Sequence, residues 1–346
     1  MGEVIFRKHS SGNGVVVGEI TLNSEKHLNA LTLGMVDAIY SNLIKWQSDN
    51  VDIIVLNGSG GKAFCAGGDV VSVRQIIEAK GANVAEKFFL HEFALDFLMH
   101  NYHKPIICWG SGIVMGGGMG LMNACRFRVA TENSKLAMPE TAIGYYPDVG
   151  GSYFLNRVPA PYGLFLGISG AVINAFDAKD LNLVDFILPS ESMEKLLEHL
   201  CSISRKNSDI ELEIKEILNN FQITNLQDIQ KTGKLRPYKN LIKQAMDYRS
   251  TRDIFNALLN LEPEDVWLER VKKNLSYGSP FSISVVHQQL TLTKEMSLLD
   301  IFKTEMIMTA NFLRHPDFVE GVRARLVDKD NKPNWRQKKL DEVAAD

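Results

Sequence analysis

Residues 104–121 read KPIICWGSGIVMGGGMGL. The stretch up to Val114 is apolar and rich in β-branched side chains, so it reads as a buried strand. A glycine run follows, and MGGGMGLMNACRF (115–127) starts a helix. Consecutive glycines let the backbone approach a ligand and present bare N–H groups to it. A helix that begins at such a loop adds a partial positive charge. The same pattern stands upstream: VDIIVLNG (51–58) is a buried strand, GGKAFCAGGDV (60–70) is its glycine loop, and DVVSVRQIIEAKG (69–81) is a helix that Gly81 stops. EVIFRKH (3–9) and GVVVGEITLN (14–23) read as two strands joined by the turn SSGNG. LTLGMVDAIYSNLIKWQSD (31–49) and NVAEKFFLHEFALDFLMHNY (83–102) read as helices, and FRVATENSKLAM (127–138) as a strand pair. Repeated strand–helix alternation predicts an α/β core with helices packed on a sheet. Of 26 glycines, 23 precede residue 171, so the second part of the chain reads differently. There ESMEKLLEHLCSISRK (191–206), DIELEIKEILNNF (209–221) and NALLNLEPEDVWLERVKKNL (256–275) are amphipathic helices.

The chain has 346 residues, enough for one large domain or two moderate ones. Its net charge of -3 and pI near 6.3 argue against a dedicated nucleic-acid binder. The four cysteines, Cys65, Cys108, Cys125 and Cys201, are too widely spaced for a disulfide framework and point to a reducing compartment. The start, MGEVIFRKHS, lacks an apolar signal segment and transit character, and Phe6 spoils a myristoylation motif. No apolar stretch reaches the roughly 18 residues of a membrane span. The expected location is cytoplasmic, or the mitochondrial matrix for a chain that has lost a targeting peptide.

The stretch LAMPETAIGYYPDVGG (136–151) holds two acids, Glu140 and Asp148, among apolar, aromatic and glycine residues. Burying a carboxylate is costly, so each needs a partner or a task. For Asp148 the plain alternative is a turn aspartate capping the next helix, GGSYFLNRV. For the glycine loops it is simple turns. Taken together, the two loops are able to aim two N–H donors at one oxygen, which describes an oxyanion hole. There is no phosphate-binding G-x-x-x-x-G-K-[ST], no G-x-S-x-G elbow and no zinc signature around His100 and His103. Cys65 flanks a glycine loop without an evident base, and Met115 and Met119 read as packing.

KAFCAGGD (62–69), MGGGMGL (115–121) and MPETAIGYYPDVGG (138–151), in this order and spacing, resemble the crotonase, or enoyl-CoA hydratase/isomerase, superfamily. NALT (29–32) is similar to that family's early loop. FRVATE (127–132) and the late EGVRARLVDKDNKPNW (320–335) narrow the resemblance to the 3-hydroxyisobutyryl-CoA hydrolase branch. The resemblance implies an α/β fold with a crotonase-like ββα spiral core over residues 1–200 that carries the CoA-thioester site, followed by a helical C-terminal region over 201–346. It gives the N–H groups of Gly68 and Gly117 the thioester oxygen, makes Glu140 and Asp148 the catalytic acids, and matches Glu92 to a substrate-binding glutamate. By residue type alone, Glu92 reads as part of a solvated helix face. Glu140 is suited to act either as a base on water or as the nucleophile.

The implied reaction is hydrolysis of 3-hydroxyisobutyryl-CoA, or another short 3-hydroxyacyl-CoA, in valine breakdown. No metal or redox cofactor is implied, because the thioester is already activated and coenzyme A belongs to the substrate. The implied partner is that small molecule, with no nucleic acid and no membrane, and the family admits homo-oligomers. Two rivals remain: an enoyl-CoA hydratase or isomerase, and a non-catalytic acyl-CoA-binding subunit. Gly120, where ordinary hydratases carry a second glutamate, counts against the first. The presence of both acids counts against the second.

Overall fold

The computed structural model describes residues 2–12, 14–205, 209–223, 233–262 and 265–343. The chain divides into two compact units, and it passes between them several times. The first comprises Met1–Gly68, Ala94–Leu136 and Asn174–Gly233. The second comprises Asp69–Phe93, Ala137–Ile173 and Lys234–Asp346.

The first unit is built on a six-stranded sheet. Strands β1 (Val4–Ser10) and β2 (Val16–Leu22) form an antiparallel hairpin with Val4 opposite Leu22. Then β3 (Ile53–Gly58), β5 (Ile106–Gly110), β7 (Phe127–Thr131) and β10 (Phe186–Leu188) add in parallel, in the order β1-β2-β3-β5-β7-β10. Every residue of β2 and β5 is buried, as expected of strands covered on both faces. The helix Leu33–Gln47, which connects β2 to β3, starts where the Thr32 hydroxyl accepts the Met35 N–H. Its apolar stripe of Val36, Ile39, Leu43 and Trp46 is buried. Val17, Ile53, Val55, Ile107 and Val129 share a core with Leu196 and Leu200 of the helix Met193–Ser202 and with Ile214 and Leu218 of the helix Ile210–Phe221. Burial of those i, i+4 pairs explains the amphipathic pattern of both helices.

A second, four-stranded sheet has the order β4 (Ala63–Cys65), β6 (Ile113–Met115), β8 (Lys135–Ala137), β9 (Ile173–Asn174). It corrects two readings. KPIICWGSGIV is not one strand: the chain leaves the large sheet at Gly110 and enters the small one at Ile113. Gly112, at φ +73, makes the corner, and Asn133 Oδ1 accepts its N–H at 3.1 Å. Likewise FRVATENSKLAM holds two strands that belong to different sheets rather than to one pair.

The second unit is mainly helical. It contains the helix Val70–Lys80, capped by Asp69 and stopped at Gly81, and the first part of the helix Ala82–His100. After a 3-10 turn at Glu140–Ile143 come the short helix Gly151–Leu155 and the helix Tyr162–Ser169. The helices Lys239–Ala245, Thr251–Leu259, Val266–Tyr277, Pro280–Leu292, Leu298–Phe312 and Pro316–Val322 follow. The stretch 256–275, read as one helix, is therefore two: Asp265 caps the second by accepting the N–H groups of Trp267 and Leu268. Residues 263–264 lie outside the described residues, as do Asn13 of the hairpin turn and Lys206 at the end of the helix read over 191–206. Tyr145 sits at the centre of an aromatic cluster with Phe89, Phe312 and Phe318. No helix among the described residues is long and apolar enough to cross a membrane.

Candidate active site

The first unit carries the two glycine loops. β4 leads into Gly67 and Gly68, and β6 leads into Gly116 and the helix Gly117–Asn123. Gly67 and Gly116 take φ of +112 and +50, backbone that a residue with a side chain rarely adopts. The loops lie against one another: a β-carbon placed on Gly118 would come within 2.9 Å of Cys65 Cβ, and one on Gly67 within 3.7 Å of Gly117 N. Gly117 is the first helical residue, so its N–H has no carbonyl partner within the helix. The structure thus brings Gly68 and Gly117 into neighbouring loops. Cys65 is buried beneath them, and its Sγ accepts the Gly67 N–H.

The second unit carries the acids, and they are buried: Glu92 2% exposed, Glu140 5%, Asp148 5%. Burial of Glu92 overturns the solvated-face reading. Its helix, ANVAEKFFLHEFALDFLMH, carries bulky apolar residues all around, so no polar face marks which acid is exposed. Glu140 opens the 3-10 turn after Pro139, and its Oε2 is buried with no hydrogen-bond partner. Burial drives its proton affinity well above the ordinary carboxyl range; the charge of Asp148 adds to this, as does that of Glu92. Burial likewise pushes Asp148 up to about 7, against the pull of its own backbone N–H. Asp148 does not cap the next helix: Gly150 stands at the N-cap, without a side-chain bond, and only the Asp148 carbonyl reaches Gly151 N–H, at 2.6 Å. The carboxyl instead takes a hydrogen bond from the Tyr145 hydroxyl.

A fourth acid in this neighbourhood escaped the sequence reading. Glu305, on the helix Leu298–Phe312, is wholly buried. Its Oε2 accepts the Gly150 N–H at 2.8 Å, and its Oε1 bonds Ser152 Oγ at 3.0 Å. Burial raises it to about 8; the Gly150 bond opposes the rise and the charge of Asp148 adds to it. The Tyr146 hydroxyl donates to the Glu305 carbonyl at 2.6 Å. That uses its one proton, so in the 2.8 Å bond between Tyr146 and Thr309 the threonine donates. The signal was present in the sequence: Ile301, Glu305, Thr309 and Phe312 lie on the buried face of one helix, and an acid in such a stripe needs a reason. Val149, next to Asp148, takes φ +53. For a β-branched residue this is an outlier that costs of order 1–3 kcal/mol and persists only where its surroundings enforce it.

Within the second unit, buried carboxyls in electrostatic contact, one of them with an oxygen that no donor reaches, make up an acid–base cluster. The family model described as enoyl-CoA hydratase/isomerase matches residues 17–346, and the chain belongs to that family. It is similar to the mitochondrial 3-hydroxyisobutyryl-CoA hydrolase of Danio rerio, with 36% identity over 98% of this chain and 86% of the relative. The Homo sapiens protein of the same name is 36% identical over 95% of this chain and 84% of its own length. Among solved structures, an enoyl-CoA hydratase from Rhodobacter sphaeroides superposes with a TM-score of 0.85 at 28% identity, covering 99% of this chain and 95% of the other. A carnitinyl-CoA dehydratase from Mycobacterium thermoresistibile gives 0.85 at 30% identity, covering 99% and 94%. The chain has the crotonase fold, an α/β architecture with a helical C-terminal region.

Proposed function

We propose that this chain hydrolyses the thioester of 3-hydroxyisobutyryl-CoA, releasing the free acid and coenzyme A, as valine breakdown requires. The observation that carries the reading is the pairing of Glu140 and Asp148: two buried acids, each raising the stakes of the other's ionisation, with Glu140 Oε2 unpartnered. Two such acids shed their protons as a pair, so that near neutrality one is charged while the other holds a proton. In the proposed reaction a water oxygen attacks the carbonyl carbon and its proton passes to Glu140. The carbonyl oxygen becomes an oxyanion held by the N–H groups of Gly68 and Gly117. Collapse of this intermediate breaks the C–S bond, and the departing thiolate takes up the proton. Direct attack by Glu140, with water then opening the anhydride, gives the same products. Asp148 and Glu92 are the acceptors for the substrate hydroxyl. The assignment of these roles rests on the motif match. No resident cofactor is needed, since a thioester is already activated, and the four cysteines, none of them in a disulfide, suit a reducing compartment such as the cytosol or the mitochondrial matrix.

The rival is addition of water to an enoyl-CoA, which the solved structures' names would suggest. Gly120, with no side chain at the place of the second hydratase glutamate, disfavours it. A panel of CoA esters assayed for free thiol and for loss of the enoyl absorbance separates them. Thiol release from 3-hydroxyisobutyryl-CoA without enoyl hydration supports the proposal; enoyl hydration without thiol release refutes it.

A further inference from the structure

The turn that carries Asp148 is gripped on both sides by side chains that the reaction above does not use. On one side Gln289, from the helix Pro280–Leu292, donates its Nε2 to the Pro147 carbonyl at 3.0 Å. Gln289 is buried, and its Oε1 has no hydrogen-bond partner, so the amide is kept in the interior for that one bond. On the other side Glu305 holds the Gly150 N–H and the Ser152 hydroxyl. Between the grips lies Val149 in its left-handed conformation. A strained β-branched residue would relax toward φ below zero unless its flanks were fixed, and relaxation would swing the carboxyl one residue away.

We infer that Glu305 and Gln289 are positioning residues, which hold the turn Pro147–Gly150 in its strained form so that the Asp148 carboxyl meets the substrate. The inference rests on the role proposed for Asp148. Glu305 is not itself placed on the substrate; it acts through the turn. Its two bonds do not require a charge. A Gln at 305 retains both, with the amide oxygen accepting from Gly150 N–H and the amide nitrogen donating to Ser152 Oγ.

The test is a double-mutant cycle on thiol release from 3-hydroxyisobutyryl-CoA, with melting curves on every variant. Asp148→Asn comes first and should collapse kcat. Glu305→Met, of similar length but without either bond, should lower kcat about 10–100-fold, the effect of a small misplacement, with KM within about threefold of wild type. Glu305→Gln should restore at least half of wild-type kcat. Gln289→Met should lower kcat in the same sense. In the Asp148→Asn background, Glu305→Met should cost less than about threefold more, because the group it positions has already been disabled. A fully active Asp148→Asn protein overturns the role of Asp148 and the inference with it. A collapsed Asp148→Asn beside an unaffected Glu305→Met, or a Glu305→Met loss undiminished in the double variant, overturns the inference alone. If Glu305→Met does not fold, Ser152→Ala takes its place: it removes one of the two bonds and should lower kcat severalfold at constant KM, and an unchanged kcat refutes the inference.

Discussion

Gly321→Ala puts the late sequence motif to the test. Gly321 lies in the helix Pro316–Val322, and a β-carbon there would sit 2.7 Å from Ile143 Cα and closer still to the Ile143 carbonyl. Ile143 closes the 3-10 turn that Glu140 opens. All the opposing atoms are backbone, so no rotamer change relieves the clash, and helix and turn must separate by roughly 1 Å or strain in place. Two effects compete. Ala gains about 0.8–1 kcal/mol over Gly in a helix interior. Overpacking a tight contact costs about 1–3 kcal/mol. With backbone atoms this close the cost lies toward its upper end, for a net loss of up to about 2 kcal/mol and a Tm lower by up to a few degrees. The larger effect is on turnover, because a displacement of about 1 Å at a reacting group costs on the order of 10²-fold. Thiol release and thermal melting on purified protein measure both. Gly34→Ala is the control: it also lies in a helix, but its β-carbon would meet nothing nearer than Thr32 Oγ1 at 3.8 Å. It should leave kcat unchanged and Tm equal or higher. A Gly321→Ala protein with wild-type kcat and an undiminished Tm would refute the claim that the late motif buttresses the turn of Glu140.

Glu140→Gln should lower kcat by about 10²–10⁴ while calorimetry finds product binding nearly intact; retention of more than about a tenth of the activity would remove Glu140 from the chemistry. Gly117→Pro deletes one N–H at a helix position where proline is well tolerated, so a folded variant should lose about 10²–10³ in kcat; normal turnover would reduce Gly117 to a turn residue. The raised acids also set a pH dependence of stability. Asp148 at about 7 and Glu305 at about 8 lie above their unfolded values, so between those limits the native state binds more protons than the unfolded chain. Their contribution is fully present below about pH 4 and is lost as pH rises through 7 and 8. The Tm of Glu305→Gln should therefore gain on wild type between pH 5 and pH 9, and a difference that shrinks over this range would contradict the sign.

The strand–loop–helix units were legible because periodicity and glycine are local signals. KPIICW and VDIIVLN need no partner to read as buried strands, and Gly81 ends a helix by itself. What the sequence withheld was where strands go. Nothing local to Ser111 and Gly112 says that the chain changes sheets there; that is decided by Asn133 and by the β4 pairing, both distant in sequence. The acids divide in the same way. Glu140 and Asp148 stood out because their surroundings in the chain are apolar. Glu92 and Glu305 did not: the helix of Glu92 has no polar face against which to judge it, and the partners of Glu305, Gly150 and Ser152, lie 155 and 153 residues away in the chain. Motif resemblance pointed to Glu92, whereas Glu305 lay outside every matched motif.

The hydrogen-bond donors around each acid also order their roles. Glu140 Oε2 has no donor, and its proton affinity is driven up by burial and by two neighbouring carboxyls. Asp148 is stabilised by its own backbone N–H and rises only to about 7. Glu305, despite the Gly150 and Ser152 bonds, stays at about 8, because burial and, to a smaller extent, the charge on Asp148 work against them. Asp148 is thus the acid that gives up its proton most readily, and its ionisation reinforces the hold of Glu140 on a proton. In the proposed reaction this suits Asp148 to be the charged acceptor of a substrate hydroxyl, while Glu140 takes the proton from water in the fraction of molecules where it is ionised, and there its high proton affinity makes it a strong base. Exchanging the two residues would undo that division: an Asp at 140 would be too short to keep Oε2 where it is, and a Glu at 148 would have to extend from a turn whose geometry Val149, Gln289 and Glu305 have already fixed.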